Sequence, residues 1–387
     1  MKFTLYASGR QMTLWGLLLV MLSGCIDEYM PDAISTAKSH LVVDGFINPT
    51  GITTITLSRT YPVGLNSPPP PETKATVYIE QEGGNRYAMP ETATKGTYQS
   101  ASLKLDMSKP YHLRLTTAAG KQYASEYVAA KLTPPIDNVR WQAAADGLNI
   151  YVNSHDAKNT TQYYRWEYEE TWEIMPPFRP LYEYNRFTRQ MVPNTAGYPS
   201  ICWGTAKSSA VALTKTTSLS QDIVADFPLR SLASTESPLR YRYSILVKQY
   251  AHTPEEYAYW SQLKKTTEDI GTLFDPLPSQ ITGNVRCLND TEELAFGYVG
   301  AHSAAEKRIF ISRSQLPGTW FINTGYEKCV PPDTIEMKYV DATFKSGLVV
   351  PIADVYSKSG GLRGYTAAGL DCIDCRKRGS AVRPVFW

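Results

Sequence analysis

The feature that most constrains this chain is the segment 163–174, in which large apolar and polar side chains alternate. One face would carry Tyr164, Trp166, Tyr168, Trp172 and Ile174, and the other Arg165, Glu167, Glu169, Thr171 and Glu173. Successive side chains point to opposite faces of a strand, whereas a helix repeats every 3.6 residues. The segment therefore predicts a β-strand with one aromatic face turned towards a core.

Short β-patterns with turn residues between them fill residues 41–130. Strands are predicted at 41–47, 53–58, 75–80, 86–89, 96–98, 111–116 and 122–128. Glu82-Gly83-Gly84-Asn85 predicts a hairpin turn between two of them. Strands at this spacing are typical of a β-sandwich of the immunoglobulin or fibronectin kind.

A second β-sandwich is predicted over residues 136–387, after a linker at 131–135 that contains Pro134 and Pro135. It contains the alternating segment, an unpatterned loop at 175–200 and an inserted helix at 253–271. Beyond residue 316 the sequence lacks periodicity, so we expect an irregular tail pinned by disulfides, with its aromatic end docked on this domain. The predicted fold class is mostly β, with two tandem sandwiches.

The inserted helix has clear start and stop signals. Thr253 can accept a hydrogen bond from the backbone N–H of Glu256, Glu256 can reach back to Thr253, and Pro254 suits the first helical position. Trp260, Leu263, Thr267 and Ile270 form one stripe, and Gly271 is a suitable C-terminal cap.

The amino terminus predicts the compartment. Two basic residues precede a short apolar run that ends in Leu22-Ser23-Gly24-Cys25. The run is shorter than the roughly twenty residues that span a bilayer. This is the pattern of a lipoprotein signal peptide over residues 1–24, with Cys25 as the lipidated residue and 25–40 as a tether. An ordinary secretory peptide before a chance cysteine is the alternative.

Charge excludes one class of partner. The formal net charge of +2 falls to zero once the predicted signal peptide, with two basic and no acidic residues, is removed. A chain without basic excess lacks the electrostatic footprint of a nucleic-acid-binding protein. We therefore expect contact with a membrane through lipid and no binding to nucleic acid.

Four longer motifs carry a family resemblance. They are Tyr163–Glu173, Tyr243–Tyr250, Leu273–Ser279 and Cys372–Arg376. With them the chain resembles, over nearly all of its mature length, the Bacteroidota lipoproteins classified as domain of unknown function 4249, and Ile26-Asp27-Glu28 resembles their surface-export signal. The resemblance implies an outer-membrane lipoprotein, exposed at the cell surface and often encoded beside TonB-dependent receptors. It supplies no catalytic residues.

Five cysteines remain in the mature chain and are disulfide candidates in an oxidising compartment: Cys202, Cys287, Cys329, Cys372 and Cys375. We predict a Cys202–Cys287 disulfide and a second one from Cys329 to Cys372 or Cys375. Redox chemistry at Cys372-Ile373-Asp374-Cys375, or a zinc site with Cys329, is the less favoured alternative.

Other candidate chemistry is sparse. Glu167, Glu169 and Glu173 share one strand face, which suits a glycosidase or calcium site but also a solvated outer face. The aromatic face of the same strand suits a sugar platform or, more simply, the core. The five histidines, His40, His112, His155, His252 and His302, lack metal-ligand spacing. We expect no metal, cofactor or catalytic residue.

The segment 175–193 is rich in aromatic residues and arginine. Its binding candidates are Phe178, Arg179, Tyr182, Tyr184, Arg186 and Phe187. Such residues are enriched at protein interfaces, although a loop folded back on its own domain has the same composition.

These features predict a non-catalytic surface lipoprotein that is an accessory or binding component of an outer-membrane TonB-dependent receptor. A stand-alone carbohydrate- or peptide-binding module is the alternative, and a glycoside hydrolase using Glu167 and Glu169 is a third hypothesis.

Overall fold

The computed structural model describes residues 39–61, 67–195, 197–268, 281–330 and 333–387. The predicted signal peptide, Cys25, most of the predicted tether and the 273–279 motif lie outside these ranges. None of the helices in the described ranges is long and apolar enough to cross a membrane. The strands are β1 (Leu41–Phe46), β2 (Ile52–Arg59), β3 (Thr76–Gln81), β4 (Arg86–Met89), β5 (Thr97–Ser102), β6 (Pro110–Thr116), β7 (Gln122–Ser125), β8 (Val128–Ala129), β9 (Ile136–Ala143), β10 (Gly147–Asp156), β11 (Tyr163–Ile174), β12 (Tyr182–Asn185), β13 (Gln190–Pro193), β14 (Cys202–Lys207), β15 (Ala212–Lys215), β16 (Asp222–Ala233), β17 (Arg242–Ala251), β18 (Val285–Cys287), β19 (Ala295–Phe296), β20 (Ala304–Ser312), β21 (Asp333–Glu336), β22 (Val349–Tyr356) and β23 (Leu362–Gly369), and the helices are α1 (Pro254–Thr267) and α2 (Val340–Phe344).

The N-terminal sandwich packs two sheets around one core. One sheet has the order β19-β1-β2-β5, and the other has the order β18-β7-β6-β3-β4 with β8 beside β6. Alternate side chains of β2, including Ile55 and Leu57, are fully buried against Tyr98 and Tyr123. The predicted hairpin between β3 and β4 is confirmed, with Val77 opposite Met89.

Two strands of this sandwich come from much later in the chain. β19 pairs in parallel with β1, and β18 pairs with β7. Val285 and Val299 lie in the N-terminal core. The backbone at Gly297, which has φ +117°, lies so close to β1 that a Cβ at this position would overlap the carbonyl oxygen of Val43.

The predicted domain boundary is therefore corrected. Residues 136–387 do not form one C-terminal sandwich, because 285–301 belong to the N-terminal one. A local sequence pattern predicts a strand but does not say which sheet the strand joins, and β18 and β19 pair with β7 and β1 of the first sandwich.

The C-terminal sandwich places β14-β11-β17-β20, with β15 beside β11, against β16-β10-β9. The predicted aromatic face of β11 is confirmed as core: Tyr164 and Trp166 are fully buried, and Tyr168 and Trp172 pack against the same cluster. The buried Glu170 shares this face, where its carboxylate accepts a 2.6 Å hydrogen bond from the Tyr243 hydroxyl. The mostly β prediction is confirmed.

Helix α1 begins as predicted, but its Glu256 side chain has different partners and the helix is shorter. Thr253 accepts a hydrogen bond from the Glu256 N–H, and Pro254 occupies the first turn. The predicted return bond from the Glu256 side chain to Thr253 is wrong, because this carboxylate turns inward to two histidines. The helix ends at Thr267, with its cap at Glu268 instead of the predicted end near 271. Residues 269–280 lie outside the described ranges.

A third cluster, which we name the tail unit, consists of the β12–β13 hairpin, the sheet β21-β23-β22 and α2. Its core includes Phe344 and Tyr365, against which Tyr182 and Tyr184 pack. The predicted loop at 175–200 and the predicted irregular tail are thus partly wrong. Strands β12, β13 and β21 have only four residues each, which is too short to show a period. Strands β22 and β23 are longer, and their burial does not alternate regularly.

Disulfides link this region to the C-terminal sandwich. Cys202 of β14 bonds to Cys375, and Cys329 bonds to Cys372. The predicted Cys202–Cys287 pair is wrong, because β18 carries Cys287 into the N-terminal sandwich, where it is a free thiol. The Cys329–Cys372 bond is one of the two predicted options. Cys372 and Cys375 are not bonded to each other, which argues against a redox pair.

The aromatic end of the chain docks on the C-terminal sandwich, as predicted. The indole N–H of Trp387 donates to Glu173 at 2.9 Å, and its rings lie edge-on to Phe310 of β20. The Arg308 guanidinium lies 3.4 Å from the centroid of the Phe386 ring.

We expect Asp156→Asn to change the pH dependence of folding. Burial opposes ionisation of Asp156, but hydrogen bonds from Lys158, Thr160 and Thr161 outweigh it and lower its pKa to about 2. A lowered pKa stabilises the fold above the unfolded value of roughly 4, and this contribution is lost as pH falls towards 2. Solvent screening reduces it to about 1 kcal/mol.

Urea unfolding at neutral pH and near pH 2.5 measures this contribution. The deficit of Asp156→Asn relative to the natural chain should be largest at neutral pH and clearly smaller near pH 2.5, which lies below the unfolded pKa and close to the folded one. Asp146→Asn, at the exposed turn between β9 and β10, is the control. A deficit that is the same at both pH values would contradict the assignment.

Candidate functional site

Both sandwiches and helix α1 enclose a cavity of about 170 Å³. The N-terminal sandwich contributes Asp44 and Phe46 of β1. The C-terminal sandwich contributes Arg165 and Glu167 from the face of β11 opposite its core. The remaining lining residues are Val43, Gly45, Glu256, Tyr259, Trp260, Gly297, Tyr298 and His302.

A buried cluster of His252, Glu256 and His302 forms the deepest part of this junction. His252 follows β17, Glu256 lies in the first turn of α1, and His302 precedes β20. The side chains are at most 4% exposed. Oε1 of Glu256 lies 3.5 Å from Nε2 of His252 and 3.3 Å from Nε2 of His302.

Local structure explains how the cluster is assembled. The cap at Thr253 starts the helix one residue after His252, so His252 and Glu256, four residues apart, face each other. His302 arrives from the N-terminal sandwich, where its N–H donates to the Ile47 carbonyl. Its ring stacks on Phe46, with centroids 4.2 Å apart. The cluster therefore exists only because the chain returns to the first sandwich.

Arg165 is the main cation of the junction. Its Nε–H donates to Nε2 of His252 at 3.4 Å, and its guanidinium lies over Trp260 and Tyr250 at 4.1 and 4.7 Å from the ring centroids. It also forms an ion pair with Glu167, which accepts a 3.0 Å hydrogen bond from the Tyr250 hydroxyl.

The junction shifts the ionisation of its members. Burial lowers the pKa of His252 to about 3, so this imidazole is neutral near pH 7. Burial opposes ionisation of Glu256, but the two imidazoles and the Arg165 guanidinium outweigh it and lower its pKa. Burial, then the nearby Glu167 carboxylate, raises the pKa of Asp44. The buried charges of the junction are those of Glu256 and Arg165, whereas the carboxylates of Asp44 and Glu167 line the cavity and remain partly exposed.

The glutamates predicted on the outer face of β11 each have a partner. Glu167 binds Arg165, Glu169 lies 3.0 Å from Nζ of Lys248, and Glu173 binds Trp387. Glu167 lines the junction cavity, and its side chain is partly exposed. Ion pairing of this kind is what an outer strand face uses to balance its charges.

The predicted binding candidates separate into two groups. Tyr182 lies edge-on to Tyr365, and the Tyr184 hydroxyl donates to Asp341, so both tyrosines stabilise the tail unit. Phe178 is half-buried. Arg179 and Arg186 are exposed, and Phe187 is 99% exposed at the hairpin tip.

The sequence did not predict the cluster of His252, Glu256 and His302. The four-residue spacing of His252 and Glu256 at a helix start was visible. The third member comes from residue 302, and no local pattern reports that strand β19 returns to β1.

We expect Gly300→Ala to destabilise the chain through Glu256. A Cβ at Gly300 would lie closer than 3.0 Å to the Glu256 carboxylate, which is buried and cannot move into solvent. Overpacking of this kind costs about 1–3 kcal/mol in the free energy of unfolding. Gly318→Ala is the control, since a Cβ there meets nothing within 4 Å. Equal stability of the two variants in urea unfolding would contradict this packing.

Comparison with known proteins places the chain in a family. No curated protein matches. A solved segment of two fibronectin type III domains from chicken tenascin is similar to this chain, with 11% sequence identity and a TM-score of 0.16. The match covers 55% of this chain and 90% of the tenascin segment. The family described as domain of unknown function (DUF4249) matches residues 26–308. The chain belongs to this family.

Proposed function

We propose that the chain is a non-catalytic outer-membrane lipoprotein, exposed at the cell surface, that works as a binding component of a TonB-dependent receptor. The predicted lipid at Cys25 would hold it on the membrane. The tail unit would make the contact with the receptor. The lipid signal, the neutral mature charge and the family resemblance to Bacteroidota lipoproteins support this proposal.

The observation that carries the proposal is the β12–β13 hairpin tip. Phe187 is 99% exposed, yet its backbone is held: the Asn185 side chain accepts hydrogen bonds from the N–H groups of Phe187 and Thr188 at 3.0 and 3.1 Å. Arg186 is exposed beside it. An aromatic ring held on an ordered turn loses little conformational freedom on binding, and aromatic and arginine side chains dominate interface energetics.

The tail unit and the residues next to its strands carry several exposed large apolar side chains. They are Leu181, Phe187, Met337, Tyr339, Leu348, Tyr356 and Leu362. Exposed apolar side chains of this kind are available for contact with a partner protein. The disulfides from Cys202 to Cys375 and from Cys329 to Cys372 hold the neighbouring chain in place.

We expect Phe187→Ala to weaken capture of the receptor. Truncation of a dominant interface aromatic costs about 2 kcal/mol, or roughly thirtyfold in affinity. The lipidated chain, extracted in detergent, is used to capture proteins from solubilised outer membrane, and the captured receptor is quantified. Phe321→Ala is the matched control, because Phe321 is 85% exposed but lies outside the tail unit.

The proposal fails if no TonB-dependent receptor is captured by the intact lipoprotein, or if both variants capture it equally. Binding of a glycan or peptide array, abolished by Phe187→Ala and without receptor capture, would instead favour the stand-alone binding module.

We expect Cys25→Ala to abolish lipidation. Radiolabelled palmitate should label the natural chain and the Cys287→Ala control but not Cys25→Ala, and only the labelled chains should sediment with membranes. Stable anchoring requires more than one acyl chain, which the predicted lipidated cysteine would supply. Label retained by Cys25→Ala would remove the anchor from the proposal.

A further inference from the structure

We propose that His252, Glu256 and His302 bind a divalent transition-metal ion of the zinc class at the junction of the two sandwiches. The proposal does not depend on receptor binding. In the described part of the chain, this is the cluster whose histidine and carboxylate donor atoms all lie within 4.8 Å of one another.

The separations between donor atoms fit a shared metal better than hydrogen bonds. Oε1 of Glu256 lies 3.3 and 3.5 Å from the Nε2 atoms of His302 and His252. Charge-assisted hydrogen bonds are shorter, about 2.7–2.9 Å. Ligands at about 2.0–2.1 Å from a tetrahedral zinc ion are roughly 3.4 Å apart, which is the separation between these atoms.

The imidazoles are oriented for coordination. Nδ1 of His302 lies 3.4 Å from the Ser303 carbonyl oxygen, and a proton on Nδ1 leaves the Nε2 lone pair directed at Glu256. Nδ1 of His252 is buried without a hydrogen-bond partner in the described structure. The atom of His252 that faces the Glu256 carboxylate is Nε2, 3.5 Å from Oε1.

Charge at the cavity also favours a cation. Three of the lining residues are carboxylic acids, Asp44, Glu167 and Glu256, whereas one, Arg165, is a strong base. Acidic groups therefore outnumber strongly basic ones in the lining of the cavity. Arg165, already paired with Glu167 and stacked on Trp260, must withdraw its Nε–H from His252 when the metal binds.

Three protein ligands leave one position of a tetrahedron for water or an exchangeable donor. The adjoining cavity of about 170 Å³ has room for it. Two imidazoles and a carboxylate select zinc or its neighbours over calcium and magnesium, which prefer sites made only of oxygen atoms.

The test measures metal retained by the mature chain. The protein is stripped with chelator, incubated with Zn²⁺, dialysed, and its zinc is quantified by mass spectrometry. We expect about one zinc ion per chain for the natural protein, with a raised thermal unfolding midpoint, since binding only the folded state stabilises it. Co²⁺ in place of Zn²⁺ should give the visible absorption of a tetrahedral complex.

His302→Gln and His252→Gln should retain no zinc, whereas His112→Gln should retain as much as the natural chain. His112 is the matched control, because it is another buried histidine paired with a glutamate, 3.0 Å from Glu80. Near-ultraviolet circular dichroism of the metal-free proteins verifies that each variant is folded.

Zinc retained equally by a folded His302→Gln variant would identify an adventitious surface ion and overturn the proposal. So would a natural chain that retains no zinc. If both histidine variants unfold, the Co²⁺ spectrum of the natural chain decides, and the absence of tetrahedral absorption overturns it.

Discussion

The pairing of β19 with β1 is the contact on which the rest of the structure depends. Leu41, at the start of the first strand, lies opposite Ala295. Because of this pairing the chain crosses between the sandwiches three times: through 131–135, back again between β17 and β18, and finally through 302–303. The first and the last crossing lie side by side, with Lys131 and His302 forming a parallel bridge. A single linker would let the domains move independently, whereas two adjacent crossings fix their relation.

That fixed relation creates the buried junction. His302 lies in the last crossing, Arg165 and Glu167 come from β11, and α1 contributes Glu256 and Trp260. Glu256 is the informative member. A glutamate three residues after a capping threonine usually turns back to cap the helix. Here the Glu256 carboxylate interacts more favourably with two buried imidazoles and Arg165 than with the backbone of the cap, so it points inward.

The sequence predicted those parts of the fold that depend on interactions between neighbouring residues. The alternation along β11 gave its buried aromatic face, and Thr253 with Pro254 gave the helix start. The features that the sequence did not predict depend on pairing between residues far apart in the chain. The sequence of β18 and β19 does not say which sheet these strands join, so neither the domain boundary nor the state of Cys287 was predictable. The junction cluster was missed for the same reason. Phe187, one of the predicted binding candidates, is exposed, and its role in binding stays a prediction.

Because β18 and β19 come late in the sequence, they also constrain the order in which the sheets of the first sandwich can form. A chain that emerges from its amino end presents β1 and β7 long before residues 285–296 arrive to cover them. Pairing over such a sequence separation closes a very long loop, and its entropic cost delays completion of both sheets. Until then the edges of the first sandwich are open templates for other strands. The N-terminal half therefore has to be shielded from aggregation during biogenesis, although the finished molecule gives no sign of this need.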